Sequence, residues 1–346
     1  MSKHHKRIVL DFDDTLAFPV NRDFKNAKPN TPLIRKINQL SRDGWQIDIY
    51  TARGSISCKT REEAEAKYGE EIRQWLFEKQ VNYNNLSFDK PLAAYYIDDK
   101  GISPEEFIDT DIRNLKGGLS GSDIYTDGRL VHKTDPKSHE VNEWFEVVKK
   151  AGISVPNVER VVGETMTMEY IDHDNTYFYR MPHRALALVQ ENLEKLKKIE
   201  YAGTSRKFTT YMERIREHIN NCKIEQDVLW ALVWDELKLS FWPEESFSHG
   251  DFGITNMLFE EDHLTLIDPI PDVFGCLELD IAKFIASLYI NEAGDELIDL
   301  AKRTLCTYNK LRVDDINILV RCELTRVIKY HHDKEFIIGL IQDVYR

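Results

Sequence analysis

The sequence predicts an α/β protein of two domains, the first built on a parallel sheet and the second a two-lobed α+β domain. Three observations predict it: short apolar segments alternating with amphipathic ones over the first third, a Gly-rich hairpin pattern at 117–135, and helical periodicity from about residue 182 onward. A length of 346 residues suits two domains.

In chain order, RIVLDFDD (7–14) reads as a buried strand that ends in acids, and TPLIRKINQLSRDG (31–44) as a helix closed by a Gly stop signal. WQIDIYTARG (45–54) is a second strand and TREEAEAKYGEEIRQWLFEKQ (60–80) a second helix. AAYYIDDKG (93–101) is a further strand, again ending in acids. Strand–helix–strand alternation implies a parallel, doubly wound sheet, in which ligands bind beyond the carboxyl ends of the strands. Asp11, Asp13, Asp98 and Asp99 fall at such ends. The segments between Thr15 and Thr51 and between Thr51 and Lys90 each accommodate one helix and loops.

The pattern changes near residue 111, where the first domain is expected to end and the second, 112–346, to begin. GGLSGSDIYTDGRLVHKTD (117–135) reads as a Gly-rich turn, a strand, an Asp-Gly turn and a strand. A helix (139–152) and two strands (158–164 and 165–171) complete a small β-rich lobe, 112–171, and a helical lobe, 172–346, follows.

Composition narrows the function. No stretch approaches the ~18 consecutive apolar residues of a membrane span, and the start of the chain lacks a secretory h-region. Five cysteines, an odd number without CxxC spacing, point to a reducing cytoplasm and away from a disulfide framework or a zinc site. A formal net charge of −13 disfavours nonspecific nucleic-acid binding. The charge is uneven, −1 over residues 1–110 and −12 over the rest.

Two constellations carry chemistry. IVLDFDDTLAF (8–18) sets Asp11 and Asp13 two apart at a strand end; Thr51 in YTARG, Lys90 in FDKP and Asp98–Asp99 in YYIDDKG follow in order. Together these resemble the four motifs of the haloacid dehalogenase-like phosphohydrolase superfamily, over roughly residues 6–108. The stretches YTARG and KPLAAYYIDDK look most like small phosphatases of capsular-polysaccharide gene clusters. The resemblance implies a Rossmann-like domain with Asp11 as nucleophile, forming an aspartyl-phosphate, and Asp13 as general acid and base. It further implies that Thr51 and Lys90 hold the phosphoryl oxygens, and that Asp98, supported by Asp99, joins Asp11 and Asp13 around Mg²⁺.

FSHGDFGITNMLFEEDHLTLIDP (247–269) carries HGDxxxxN…IDP. It resembles the catalytic segment of the aminoglycoside phosphotransferase and choline kinase group, a small-molecule branch of the protein-kinase-like fold, over roughly 112–346. The resemblance implies Asp251 as the base that accepts a substrate hydroxyl's proton, with Asn256 and Asp268 as Mg²⁺ ligands on ATP. His249 and Asp280 read as structural. Ser120, Gly121 and Ser122 would approach the ATP phosphates, and Lys133 would meet the α- and β-phosphates. Glu140 is the expected partner of Lys133, with Glu143, one turn on, as the alternative.

The combined expectation is a cytoplasmic, bifunctional enzyme using Mg²⁺ and ATP: a phosphomonoester hydrolase and a kinase of a small-molecule hydroxyl. By resemblance the substrate is a sugar, a sugar phosphate or an amino alcohol of glycan-precursor metabolism, with no nucleic-acid partner and no membrane span. The alternatives are an antibiotic-modifying kinase with an accessory phosphatase, or a protein in which one half binds without turnover. Oligomeric state and the choice of ATP over GTP stay open.

Overall fold

Asp11, Thr51 and Lys90 lie far apart in sequence, and parallel strand pairing is what brings their chain segments together. The structure is a computed structural model; it describes residues 6–20, 23–96, 101–115, 123–201, 206–221, 238–271, 273–328, 330–331 and 333–344. The chain divides into two compact units, 1–115 with 125–128, and 116–124 with 129–346.

In the first unit, β1 (Arg7–Asp11), β4 (Gln46–Tyr50) and β5 (Asn85–Ser87) form a parallel sheet in that order. Asp11 registers with Tyr50, and Tyr50 with Ser87. Buried Asp48 accepts hydrogen bonds from Gln46 (3.0 Å) and Asn85 (2.9 Å) and pairs with Arg7. Helix α1 (Thr31–Arg42) buries Leu33, Ile34, Ile37 and Leu40, a helical i, i+1, i+4, i+7 stripe. It is opened by Asn30, whose side chain accepts from Leu33 N. Helix α2 (Arg61–Glu78) buries Ile72, Trp75 and Leu76 in the same core, and Trp75 meets Phe12 edge-to-face at 5.2 Å.

Three features depart from expectation. The segment after Asp13 holds not only α1 but an antiparallel hairpin, β2 (Ala17–Val20) and β3 (Asp23–Pro29). Strand β1 is not buried throughout: among the described residues it lies at a sheet edge, and Val9 is 57% exposed. The expected strand at 93–101 is not formed in its described part, 93–96 and 101, where Tyr95 is 85% exposed; Asp98 and Asp99 lie outside the described residues. The unit also contains a short helix α3 (Pro104–Asp109), opened by a capping box between Ser103 and Glu106, and a pairing of β6 (Arg113–Asn114) with β7 (Asp123–Thr126) through Thr126 and Tyr125.

In the second unit, β8 (Leu130–Thr134), β10 (Thr165–Glu169) and β9 (Val158–Val162) are antiparallel neighbours in that order. Helix α4 (Ser138–Lys150) buries Val141, Trp144, Phe145 and Val148. The helical part comprises α5 (Tyr177–Arg180), α6 (Pro182–Lys197), α7 (Phe208–Asn221), α8 (Leu277–Ile290), α9 (Asp295–Asn309), α10 (Val313–Val327) and α11 (Lys334–Asp343). Helices α8 and α10, which pack together, are buried over most of their length: Leu279, Ile281, Phe284, Ile316, Leu319 and Leu324 are all fully buried, and α10 also buries Asp315, Arg321 and Glu323. A hairpin, β11 (Met257–Glu260) and β12 (His263–Leu266), carries the segments that frame the candidate site. Among the described residues, no helix is long and apolar enough to cross a membrane.

Candidate active sites

The β11–β12 hairpin places Asn256 just before its first strand and Asp268 two residues after its second. Met257 registers with Leu266, and Ile267 N donates to Asn256 O at 3.1 Å. The chain then returns, and Ile270 N donates to His249 O at 2.8 Å. A short 3₁₀ turn, Ile254–Asn256, lets the Asn256 amide reach back to Asp251, donating from Nδ2 to its backbone oxygen (2.8 Å) and to its Oδ2 (3.0 Å). With its nitrogen committed to Asp251, the amide offers its oxygen for any cation.

The loop 249–251 is held from behind by α8. Asp280, in the first turn, accepts from His249 N (2.7 Å) and Gly250 N (3.1 Å), and Lys283 Nζ donates to Gly250 O. Gly250 has φ +80, and a Cβ there would stand 2.2 Å from Ile270 O, so the return of the chain demands glycine. Burial pushes His249 down to about 4, so the ring is neutral near pH 7. Burial also raises Asp280, to about 6, against the pull of Lys283 and the two N–H donors. His249 lies within the loop, and Asp280 holds that loop from α8.

Lys133, on β8 opposite Met166, is buried and ion-pairs with Asp268 at 2.8 Å. Asp268 has φ +56, an uncommon left-handed backbone for a non-glycine residue. Glu140 and Glu143 are exposed on α4, and the expected pair with Lys133 is not the one formed: the nearer anion is Asp268. Ser120, Gly121 and Ser122 lie outside the described residues. Sequence reading missed Arg326 on α10, whose Nη2 lies 3.4 Å from Asp251 Oδ1 and whose Nε donates to Glu323 Oε2 at 2.7 Å. Its separation of 75 positions from Asp251 leaves no local signal.

In the first unit, Asp11 ends β1, Thr51 follows β4 and Lys90 follows β5, all at the carboxyl end of the sheet. Lys90 Nζ pairs with Asp11 and lies 4.6 Å from the Tyr96 ring centroid. Phe12 N donates to Asp11 Oδ1 at 2.8 Å. Thr51 Oγ1 lies 3.4 Å from Asp13 Oδ2 and accepts from Arg53 N at 3.0 Å. Arg53, which the sequence reading did not single out, has only 7% of its side chain exposed and bridges Asp13 to Glu71. Its guanidinium also covers the Phe12 ring at 5.0 Å. Its place two residues after Thr51 in YTARG was the available signal. Each acid of the Asp11–Asp13 pair thus has its own cation.

Among the described residues, no three His, Cys, Asp or Glu side chains gather as a metal cage. A two-ligand set such as Asn256 with Asp268 suits Mg²⁺, which keeps water and phosphate oxygens as its other ligands.

No family model and no curated protein matches the chain. Among solved structures, a structural-genomics target from Vibrio cholerae is 28% identical, covering 31% of this chain and 89% of its own, with a TM-score of 0.28. The ethanolamine kinase of Plasmodium vivax is 12% identical over 72% of this chain and 84% of its own, with a TM-score of 0.48. A choline/ethanolamine kinase family protein from Mesorhizobium loti is 13% identical over 68% of this chain and 87% of its own, with a TM-score of 0.51. About two thirds of this mixed α/β chain therefore shares the fold of the Mesorhizobium loti protein.

Proposed function

We propose that the second unit is an ATP-dependent kinase of a small-molecule hydroxyl. The observation that carries this reading is the oriented carboxylate of Asp251, with the Asn256 amide on one oxygen and Asp268, paired to Lys133, beyond it. In this reading the acceptor O–H gives its proton to Asp251 as its oxygen bonds to the γ-phosphorus of ATP. The bond from that phosphorus to the β,γ-bridging oxygen breaks, and ADP leaves. Lys133 exchanges Asp268 for the α- and β-phosphates. Asn256 and Asp268 would hold Mg²⁺, which supplies charge neutralisation on the phosphates. Acceptor-stimulated ADP release by the full chain tests the reading. Asp251→Asn is expected to lower it by about 10²–10⁴-fold, the usual contribution of a general base; unchanged release contradicts the assignment.

A second activity is favoured by a separate observation: Asp11, Asp13, Thr51 and Lys90 meet at the carboxyl end of a parallel sheet. We propose a haloacid dehalogenase-like phosphatase there. Asp11 attacks the phosphorus of a phosphomonoester, Asp13 protonates the departing alkoxide, and water then releases phosphate from the aspartyl-phosphate. Thr51 and Lys90 hold the phosphoryl oxygens, and Arg53 orients Asp13. Asp11, Asp13, Asp98 and Asp99 would surround Mg²⁺. The substrates proposed for the pair are sugars, sugar phosphates or amino alcohols. Phosphate release from sugar phosphates that Asp11→Asn abolishes supports this reading, and release that persists in that variant contradicts it.

A further inference from the structure

A base must be held as well as present, and the two oxygens of Asp251 are held from different directions. Asn256, in its own loop, donates to Oδ2 at 3.0 Å; Arg326 lies 3.4 Å from Oδ1 and comes from α10, seventy-five residues later.

Arg326 is itself fixed. Its Nε donates to Glu323 Oε2 at 2.7 Å, one turn earlier on the same helix. Glu323 is only 1% exposed, and its other oxygen accepts from Tyr211 O–H at 2.6 Å and lies 4.0 Å from Lys283 Nζ. Lys283 in turn donates to Gly250 O, the carbonyl just before Asp251. One buried carboxylate on α10 thus contacts the cation that grips the backbone of the loop and the cation that grips the side chain of the base. A buried charge kept among partners on three helices is costly unless each is paired, so these residues have few alternative arrangements. Arg326, with 29% of its side chain exposed, is the most exposed member of the set.

We propose that Arg326 is a positioning residue for Asp251, and that α10 sets the orientation of the base through the Glu323–Arg326 pair. The proposal rests on the kinase reading above. Arg326 fixes the carboxylate against rotation, so the oxygen that takes the acceptor proton faces the acceptor. Misplacing a reacting group by about 1 Å costs up to about 10²-fold in rate.

The test is the Asp251-dependent part of Mg–ATP turnover by the full chain, with water as acceptor, defined as the wild-type rate minus that of Asp251→Asn. Arg326→Gln is expected to lower kcat for this component by about 10- to 100-fold, while KM for ATP stays within about twofold. Arg326→Lys, which keeps a cation, is expected to recover part of the rate. The double variant Glu323→Gln with Arg326→Gln removes both charges, so no carboxylate is left buried without its guanidinium. It is expected to fold and to stay as slow as Arg326→Gln. Recovery of wild-type turnover in the double variant overturns the proposal, because the loss then came from stranding Glu323. Wild-type turnover in Arg326→Gln, or equal losses in kcat, KM and melting temperature that the double variant shares, also overturns it. If Asp251→Asn turns over ATP as fast as wild type, the kinase reading itself fails, whatever Arg326 does.

Discussion

His249 and Asp280 show how one buried contact makes two opposite demands on pH. His249 sits near 4, below its ordinary 6.5, chiefly from burial, with Asp251 and Asp268 raising it and Lys283 lowering it. The unfolded chain binds that proton first, so the contribution of His249 is fully present above pH 6.5 and is lost as pH falls through 4. The 2.5-unit difference corresponds to about 3 kcal/mol. Asp280 sits near 6, above its ordinary 3.8, chiefly from burial. Its contribution is fully present below pH 3.8 and is lost as pH rises through 6. Between pH 4 and 6 the two offset each other. Melting curves of Asp280→Asn should therefore fall more steeply from pH 6.5 to 4 than those of the wild type; equal slopes would contradict the opposed assignment. At the neighbouring residue, Gly250→Ala would drive a Cβ into Ile270 O, and a loss of more than about 4 kcal/mol is expected in urea unfolding.

At the scale of elements, helices were the most legible parts. Apolar spacing in TPLIRKINQL and HEVNEWFEVV matches the buried faces of α1 and α4. The β2–β3 hairpin was not legible, because AFPV and DFKNAKP carry two prolines and no apolar alternation. Nor was the missing strand at 93–96: its apolar composition mimics a strand, yet Tyr95 and Tyr96 face solvent. In the sites, motif spacing marked the acids and the lysines Lys90 and Lys133, but not Arg53 or Arg326, nor that Lys133 would meet Asp268. Lys133 pairs with Asp268 across 135 positions, and Arg53 meets Asp13 across 40; such distances follow from tertiary packing, which no local pattern encodes. Helix α10 carries its own prediction. Leu319 is fully buried in it, and Leu319→Ala should cost about 2–5 kcal/mol, read as a lowered midpoint in denaturant. A midpoint shift below about 1 kcal/mol would mean that α10 packs less tightly than its burial indicates.

For the whole molecule, the question is whether one chain carries two independent phosphoryl chemistries. Among the described residues, the first unit holds its acids with Lys90 and Arg53, and the second with Lys133 and Arg326. Asp11→Asn should remove phosphomonoester hydrolysis and leave acceptor-dependent ADP release within about twofold, and Asp251→Asn should do the reverse. Loss of both activities in either variant would contradict two separate sites. The central claim, that Asp251 is the base in phosphoryl transfer from ATP to a small-molecule hydroxyl, is tested most directly by phosphorus NMR. Full-length protein would be mixed with Mg–ATP and hexoses, heptoses, glycerol, choline, ethanolamine and an aminoglycoside. The account predicts a new phosphoester resonance growing with ADP in the wild type and absent in Asp251→Asn. Inorganic phosphate as the sole product with every acceptor even when Asp11→Asn has removed ester hydrolysis, or an ester that forms equally in Asp251→Asn, would contradict it.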